Sequence, residues 1–365
     1  MSLQRSLKIK VAVLYGGCSG EHEVSQRSAA AVIKNLDKSQ FDVRPIAIDK
    51  QGHWFENDIK QLVINESMPI KTASSREFSP LEAIIGQPCK VFGDVVFPVL
   101  HGRFGEDGTV QGLLEVLGVP YVGANVLGSA LGMDKEVSKR LVGVDGILTA
   151  PFLSINLGQW QNKQAELTKE IQEKIRYPLF VKPANTGSSL GISKVKEPAA
   201  LASAIEIAFC YDIKILVEQA LDVREIEIAV LENLQYGEAP LVSTIGEIVP
   251  RHEFYSYEAK YLDEHGAALI IPVVLESCQS NQIRDFAARI FTGLACQGMA
   301  RVDFFIEKTT EKIYFNEINT IPGFTKISMY PKLWAASGLS YQRLLTQLIK
   351  LALQRHERMS RLKHC

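Results

Sequence analysis

Two β-rich runs, "ARVDFFIE" (300–307) and "IYFNEIN" (313–319), are separated only by the short polar "KTTEK" that joins them. A hairpin of this kind constrains the fold more than any other stretch, because it fixes which residues of two strands oppose each other. Alternate side chains of a strand share a face, so Glu317 projects with Asn319 and Arg301 with Asp303. The expected register sets Asp303 against Glu317 and Arg301 against Asn319, which gathers a cation, two acids and an amide on one face. Such oxygen ligands suit a hard divalent cation. Magnesium above all takes a few protein oxygens and keeps its other positions for water and substrate phosphates. The alternative is an ordinary hairpin with a solvated polar face, and the rest of the chain decides between the two.

At 365 residues the chain exceeds a single small core and predicts two or three domains. Forty basic against forty-one acidic residues leave no net field to draw in a polyanion. Nucleic acid and anionic membranes are therefore not expected partners. The cysteines (Cys18, Cys89, Cys210, Cys278, Cys296 and Cys365) are scattered, with neither a CxxC pair nor zinc-like Cys/His spacing, and read as reduced thiols. The opening "MSLQRSLKIKVAVLYGG" carries an apolar run too short for a signal-peptide core, and no apolar segment is long enough to span a bilayer. A cytoplasmic location is the expectation.

Along the chain, "KIKVAVLYGG", "FDVRPIAID" and "VVFPVLHG" read as strands, with helices over "EVSQRSAAAVIKNL" and "TVQGLLEVLG". That alternation predicts a parallel α/β sheet. The small residues of "GANVLGSALGMDK" mark a boundary near residue 128. Beyond it come a strand "YPLFVKPA", a Gly/Ser loop "NTGSSLGISKV", a helix around "PAALASAIEIAF" and a strand "KILVEQAL". From "DVREIEIAVLEN" the pattern stays β-rich through the hairpin. The chain closes on an amphipathic helix with Ser340 as N-cap and Leu344, Leu348 and Leu351 on one stripe.

The first strand runs into "LYGGCSGE", whose glycines do not fit the GxGxxG dinucleotide fingerprint. It offers instead Glu21 at a strand-to-helix turn, where a carboxylate caps backbone N–H groups or holds a substrate ammonium. In "KPANTGSSLG" a lysine ends an apolar strand before a loop that is either a surface turn or one whose backbone N–H groups approach phosphate oxygens, without being a Walker A sequence. Lys135, Lys182 and Lys260 each lie beside a Gly-rich or loop segment, as a polyphosphate pocket between domains requires. One ammonium at about 4 Å contributes only about 4 kcal/mol at an effective dielectric of 20, so a triphosphate needs several cations. His101 in "HGRFGEDG" reads equally as a structural histidine and as a catalytic one, since the surrounding glycines leave its imidazole accessible.

The chain resembles the ATP-grasp superfamily and, within it, the D-alanine:D-alanine ligases. The likeness rests on "GGCSGEHEVS", "HGRFGEDGTVQG", "GMDK", "VKPANTGSSLGISKV", "YSYEAKYLD", "ARVDFFIE" and "NEINTIPGFTKISMYPKLW". These segments occur in the family's order and spacing over nearly the whole chain. The resemblance implies an α/β ATP-grasp fold with an N-terminal parallel-sheet domain (1–128), a central ATP-grasp subdomain (129–222) and a C-terminal subdomain carrying the metal and substrate site (223–365). It further implies that ATP phosphorylates one D-alanine and that a second D-alanine attacks the acyl phosphate, in the service of peptidoglycan synthesis. A homodimer follows from the family by analogy.

Carried over by position, the resemblance assigns Glu21 to the first D-alanine's ammonium, with His101 near the same substrate. Ser188 and Tyr261 would hydrogen-bond with Glu21 and tie two loops across the site, excluding water. Arg301 would stabilise the developing negative charge, and Gly323 and Ser328 would receive the second D-alanine. Glu218, Leu221 and Glu225 match adenine and ribose contacts. Lys135, Lys182 and Lys260 match phosphate and nucleotide contacts. Asp303, Glu317 and Asn319 match ligands of magnesium, two ions being expected and manganese an alternative. Gln219 departs from relatives that often carry a charged residue there, Lys326 has no assigned role, and "EAKYLD" favours D-alanine as the second substrate. The rivals are an ATP-grasp ligase for another acid and amine, a nicotinamide dehydrogenase, and a non-catalytic nucleotide-binding protein.

Overall fold

The computed structural model describes residues 8–58, 66–72, 74–80, 82, 88–250 and 267–363. Lys260, Tyr261 and Cys365 lie outside the described residues. Five strands, β1 (Ile9–Gly16), β2 (Phe41–Ile48), β3 (Trp54–Glu56), β4 (Arg76–Phe78) and β5 (Val95–Pro98), form a sheet in the order β4-β3-β2-β1-β5. The run "IKVAVLYG" is apolar almost throughout because both faces of β1 are covered. Val11, Val13 and Tyr15 pack with Ala29 and Ile33 of α1 (His22–Asn35). Ala12 and Leu14 pack the other way, with Phe92 of α2 (Pro88–Phe92) and Leu114 of α3 (Thr109–Val116). β1 is parallel to β2 and β5, but β3 and β4 pair antiparallel, so the sheet is mixed rather than purely parallel. The link between Ile48 and Trp54 is too short for a crossover and permits only a hairpin.

The segment expected to be a boundary is helical. α4 (Val126–Met133) starts from Asn125, whose side chain accepts the Gly128 N–H, and α5 (Lys135–Val144) starts from Asp134, which accepts from Glu136 and Val137. The small residues there allow close packing: a Cβ on Gly128 would stand 2.7 Å from the Ala295 carbonyl oxygen.

A second sheet has the order β6-β9-β7-β8, from β6 (Phe152–Asn156), β7 (Leu179–Pro183), β8 (Ser193–Val195) and β9 (Lys214–Gln219). α6 (Leu157–Lys174) and α7 (Leu201–Phe209) cover one face, burying Leu179, Val181, Ile215 and Val217. Alternation therefore places Lys182 and Glu218 on the opposite face.

The third sheet is antiparallel, β12-β11-β10-β13-β14, built from β10 (Val223–Leu231), β11 (Leu241–Pro250), β12 (Ala267–Ile270), β13 (Met299–Glu307) and β14 (Ile313–Asn319). A helix, α8 (Ser277–Gly293), interrupts what the sequence pattern suggested was continuous β structure. Its Ile283, Ala287, Ile290 and Phe291 cover one face against Ile226, Val302, Phe304 and Phe315. α9 (Met329–Ala336) and α10 (Tyr341–Ser360) pack around Ala229, Leu231 and Met299. Ser340 caps α10 by accepting the Arg343 N–H, and Leu344, Leu348 and Leu351 are buried as expected. Among the described residues no helix is long and apolar enough to cross a membrane.

Gly128→Ala is expected to cost about 1–3 kcal/mol, since the added methyl meets backbone that cannot rotate away. Denaturant unfolding checks this, and an unchanged midpoint would refute the close contact.

Candidate active site

β13 and β14 adopt the expected register, with Arg301 opposite Asn319 and Asp303 opposite Glu317. The pairing then slips so that Phe304 opposes Phe315, leaving Asn316 as an extra residue in a bulge. This lets Phe315 and Ile318 both reach the core while Glu317 and Asn319 stay on the cleft side. Asp303 accepts a bidentate fork from Arg301, 2.8 Å from Nε and 2.7 Å from Nη2, and a bond from Asn319 Nδ2 at 3.1 Å. From the neighbouring strand Glu227, opposite Asp303, brings Oε2 to 2.9 Å from Arg301 Nε. The guanidinium is thus held between two carboxylates and oriented into the cleft.

This donor set fits a magnesium ion in type and register. Asp303, Glu317 and Asn319 are hard oxygen donors on adjacent strands facing one cleft. Among the described residues no group of three or more His, Cys, Asp or Glu could enclose a metal alone. An ion that completes its shell with water and phosphate requires no such enclosure.

The cleft has two adjoining lobes of unequal size, sharing Gly187, Ser188, Glu225, Asn316 and Glu317. The larger is lined by Lys135, Lys182, Glu218, Leu221 and Glu225. Lys135 Nζ donates to the Thr186 carbonyl at 2.5 Å and lies 3.5 Å from Glu317 Oε2, joining the Gly/Ser loop to the hairpin. Lys182 Nζ is 2.6 Å from Glu218 Oε1, and the wholly buried Lys139 is 2.9 Å from Glu218 Oε2. Burial pushes the Glu218 carboxyl up, but Lys139 and Lys182 outweigh it and the net direction is down. Lys139 escaped the sequence reading, although it lies four residues after Lys135 and so on the same face of α5.

The smaller lobe is lined by Glu21, Ser188, Arg301, Gly323 and Ser328. Glu21 occupies the N-cap position of α1 but makes no cap hydrogen bond with its side chain. It accepts a hydrogen bond from the Ser188 hydroxyl, so the cap alternative gives way to a tie between two loops. Ser188 and Ser189 both have left-handed backbones, at φ 51° and 62°, a conformation costing about 1–2 kcal/mol per residue. Beside them Gly187 carries no Cβ because one would stand 2.5 Å from Glu21 Oε2. The Ser328 hydroxyl accepts the Thr325 N–H at 3.0 Å next to Gly323.

His101 is not accessible: it is 5% exposed and uses both ring nitrogens inside the protein. Nδ1 faces the Ile321 carbonyl at 3.1 Å, which requires Nδ1–H, so Nε2 accepts from Ser28 at 3.2 Å. The Ser28 oxygen in turn accepts the Phe324 N–H. His101 therefore fixes the segment that leads to Gly323. Neighbouring glycines suggested openness, but the loop after β14 folds over the ring. Burial, against the Ile321 carbonyl and aided by Arg301, lowers its pKa to about 4. Glu106, in the same glycine loop, was also missed. It accepts from Gly102 N–H at 2.7 Å and Ile321 N–H at 3.2 Å, and burial and then Glu21 push its carboxyl up. Lys326 pairs with Glu66 on the surface, away from these contacts.

A cleft between two antiparallel sheets, with lysines on one wall and paired acids on the other, defines an ATP-grasp ligase. Models of the D-ala D-ala ligase N-terminus and C-terminus match residues 10–124 and 141–350. The chain is 47% identical to D-alanine--D-alanine ligase A of Bradyrhizobium diazoefficiens, over 98% of each chain. It is 44% identical to the ligase A of Escherichia coli K12, over 98% of this chain and 99% of that one. The solved D-alanine-D-alanine ligase from Coxiella burnetii has a TM-score of 0.79 at 35% identity, with 97% of each chain covered. The VanG D-Ala:D-Ser ligase from Enterococcus faecalis has a TM-score of 0.78 at 34% identity, covering 95% of this chain and all of that one. The chain belongs to the D-alanine–D-alanine ligase family.

His101 gives a pH signature. The unfolded chain takes up this proton near pH 6.5 and the folded one only near 4, so stability is full at pH 7 and falls with pH across that window. The stabilising difference between wild type and His101→Gln should shrink by about 2 kcal/mol from pH 7 to pH 5. A pH-independent difference in denaturant unfolding would contradict a buried neutral imidazole.

Proposed function

We propose that this protein joins two D-alanine molecules in an ATP-dependent ligation, through a D-alanyl phosphate, for peptidoglycan precursor synthesis. The observation that carries the reading is the meeting of Glu21, Ser188, Arg301 and the Asp303–Glu317 pair around one cleft continuous with the lysine-lined lobe. Glu21 holds the ammonium of the first D-alanine, whose carboxylate oxygen attacks the γ-phosphorus of ATP and releases ADP. The amine of the second D-alanine, placed by Gly323 and Ser328, attacks the acyl carbon, loses a proton and expels phosphate. Arg301 donates to the negative charge that develops on the tetrahedral carbon's oxygen, where one such donor contributes about 3 kcal/mol. Holding acyl phosphate and amine in place contributes roughly 7–11 kcal/mol more. Ser188 bridges to Glu21 from the opposite wall; Tyr261, outside the described residues, would complete that tie and help keep water from the acyl phosphate.

Lys135, Lys182 and Lys260 take the nucleotide phosphates, and Glu218, Leu221 and Glu225 the adenosine. Asp303, Glu317 and Asn319 would hold magnesium, two ions or manganese in their place, which when bound neutralises phosphate charge. His101 acts on the first D-alanine indirectly, through the loop it fixes. The division into 1–128, 129–222 and 223–365 is supported by one sheet in each part. A cytoplasmic homodimer completes the reading.

The test is ADP release with ATP and magnesium plus D-alanine, L-alanine, D-serine or no amino acid, followed by mass analysis. ADP release dependent on D-alanine, with D-alanyl-D-alanine formed, is expected. Release that requires D-serine as the acceptor, or an unrelated acid, would overturn the substrate assignment.

A further inference from the structure

Lys139 is the most deeply buried charge beside the cleft, with a side chain that has no exposure at all. It lines neither lobe of the cleft. Its position is fixed from both ends of its environment. Asp134, the cap of α5, is 2.5 Å from Lys214 Nζ on β9, and the Lys135 N–H donates to the Ala184 carbonyl just past β7. One turn further along α5, the Lys139 ammonium lies 2.9 Å from Glu218 Oε2 and 3.5 Å from the Phe315 carbonyl oxygen of the bulged strand.

Glu218 is thereby shared by two ammonium groups, one on each carboxylate oxygen, Lys182 at Oε1 and Lys139 at Oε2. The difference between the lysines is access: Lys182 lines the larger lobe and Lys139 does not. A carboxylate as buried as Glu218, 1% exposed, would lose several kcal/mol if its only cation turned away. With Glu218 and Lys182 alone, the pair would be neutral and closed, and a phosphate would have to break it. With Lys139 beneath, the group carries one net positive charge, and Glu218 keeps a partner when Lys182 moves.

We infer that Lys139 is a positioning residue for nucleotide phosphate binding, its buried ammonium balancing Glu218 so that Lys182 is released to a phosphate oxygen. This rests on the nucleotide reading of the larger lobe. A purely architectural Lys139, tying α5 to β9, would predict something different when Glu218 is neutralised together with it.

The experiment is calorimetric binding of tripolyphosphate, which has no base or ribose, to the full chain and to K139M, E218Q and K139M/E218Q. K139M should bind at least about tenfold more weakly, because Lys182 is then held by an uncompensated carboxylate. K139M/E218Q restores the net charge and should return to within about threefold of wild type. In steady state, K139M should raise KM for ATP while leaving KM for D-alanine unchanged. K139M binding as wild type does, or a double variant no better than K139M, would overturn the proposal. Should K139M not fold, the double variant decides: wild-type-like affinity supports the charge balance, and a loss beyond about tenfold refutes it. Wild type that binds neither tripolyphosphate nor ATP would refute the nucleotide reading itself, whereas ATP binding with an unaltered K139M refutes only the role of Lys139.

Discussion

Asp303 opposes Glu317 because one residue, Asn316, is pushed out of β14, and the charged cleft depends on that slip. Phe304 and Phe315 are drawn to the α8 side by burial, where each large apolar side chain contributes about 1.5–3 kcal/mol. Without the extra residue, the same apolar pull on Phe315 and Ile318 would set Glu317 or Asn319 on the wrong face. With it, Arg301, Asp303, Glu317 and Asn319 share one wall, and Glu227 supports Arg301 from the next strand. The hydrophobic core on one side of the sheet thus sets the geometry of the polar site on the other.

The opposite wall follows the same logic. Val181 and Val217 go down against α7, so Lys182 and Glu218 come up, and α5 brings Lys135 and Lys139 across to them. The N-terminal sheet contributes its glycine loops. These are pinned by contacts to the segment after β14, through His101 to Ile321 and Ser28 to Phe324, and through Glu106 to Ile321. A buried neutral histidine and a buried carboxyl therefore connect regions more than 200 residues apart. His101 acts on the geometry of these loops from inside the protein, whereas Glu106 also lines the smaller lobe together with Glu21 and Arg301.

Much of this was legible in the sequence where one periodicity governs. The hairpin register, β1, β7, β9 and α10 all follow from alternation or helical spacing, because each has a single buried face or none exposed. The bulge was not read, though apolar Ile313, Phe315 and Ile318 are spaced by two and then three, which is its signature. The small residues of 123–132 mark a boundary by composition, but composition alone does not show that the segment is helical and in close backbone contact. His101 looked open because its cover comes from a loop 220 residues away, which no local pattern reveals. Lys139 carried a visible signal, the four-residue step from Lys135, but its partner Glu218 lies on another element.

The central claim is that the bulged hairpin presents Glu317 and Asp303 as the oxygen wall on which phosphoryl transfer depends. The most direct measurement is ligation turnover by Glu317→Ala, with circular dichroism and thermal unfolding on the same preparation. The account predicts a folded protein whose turnover falls at least about a hundredfold. A folded variant with near-normal turnover would contradict it.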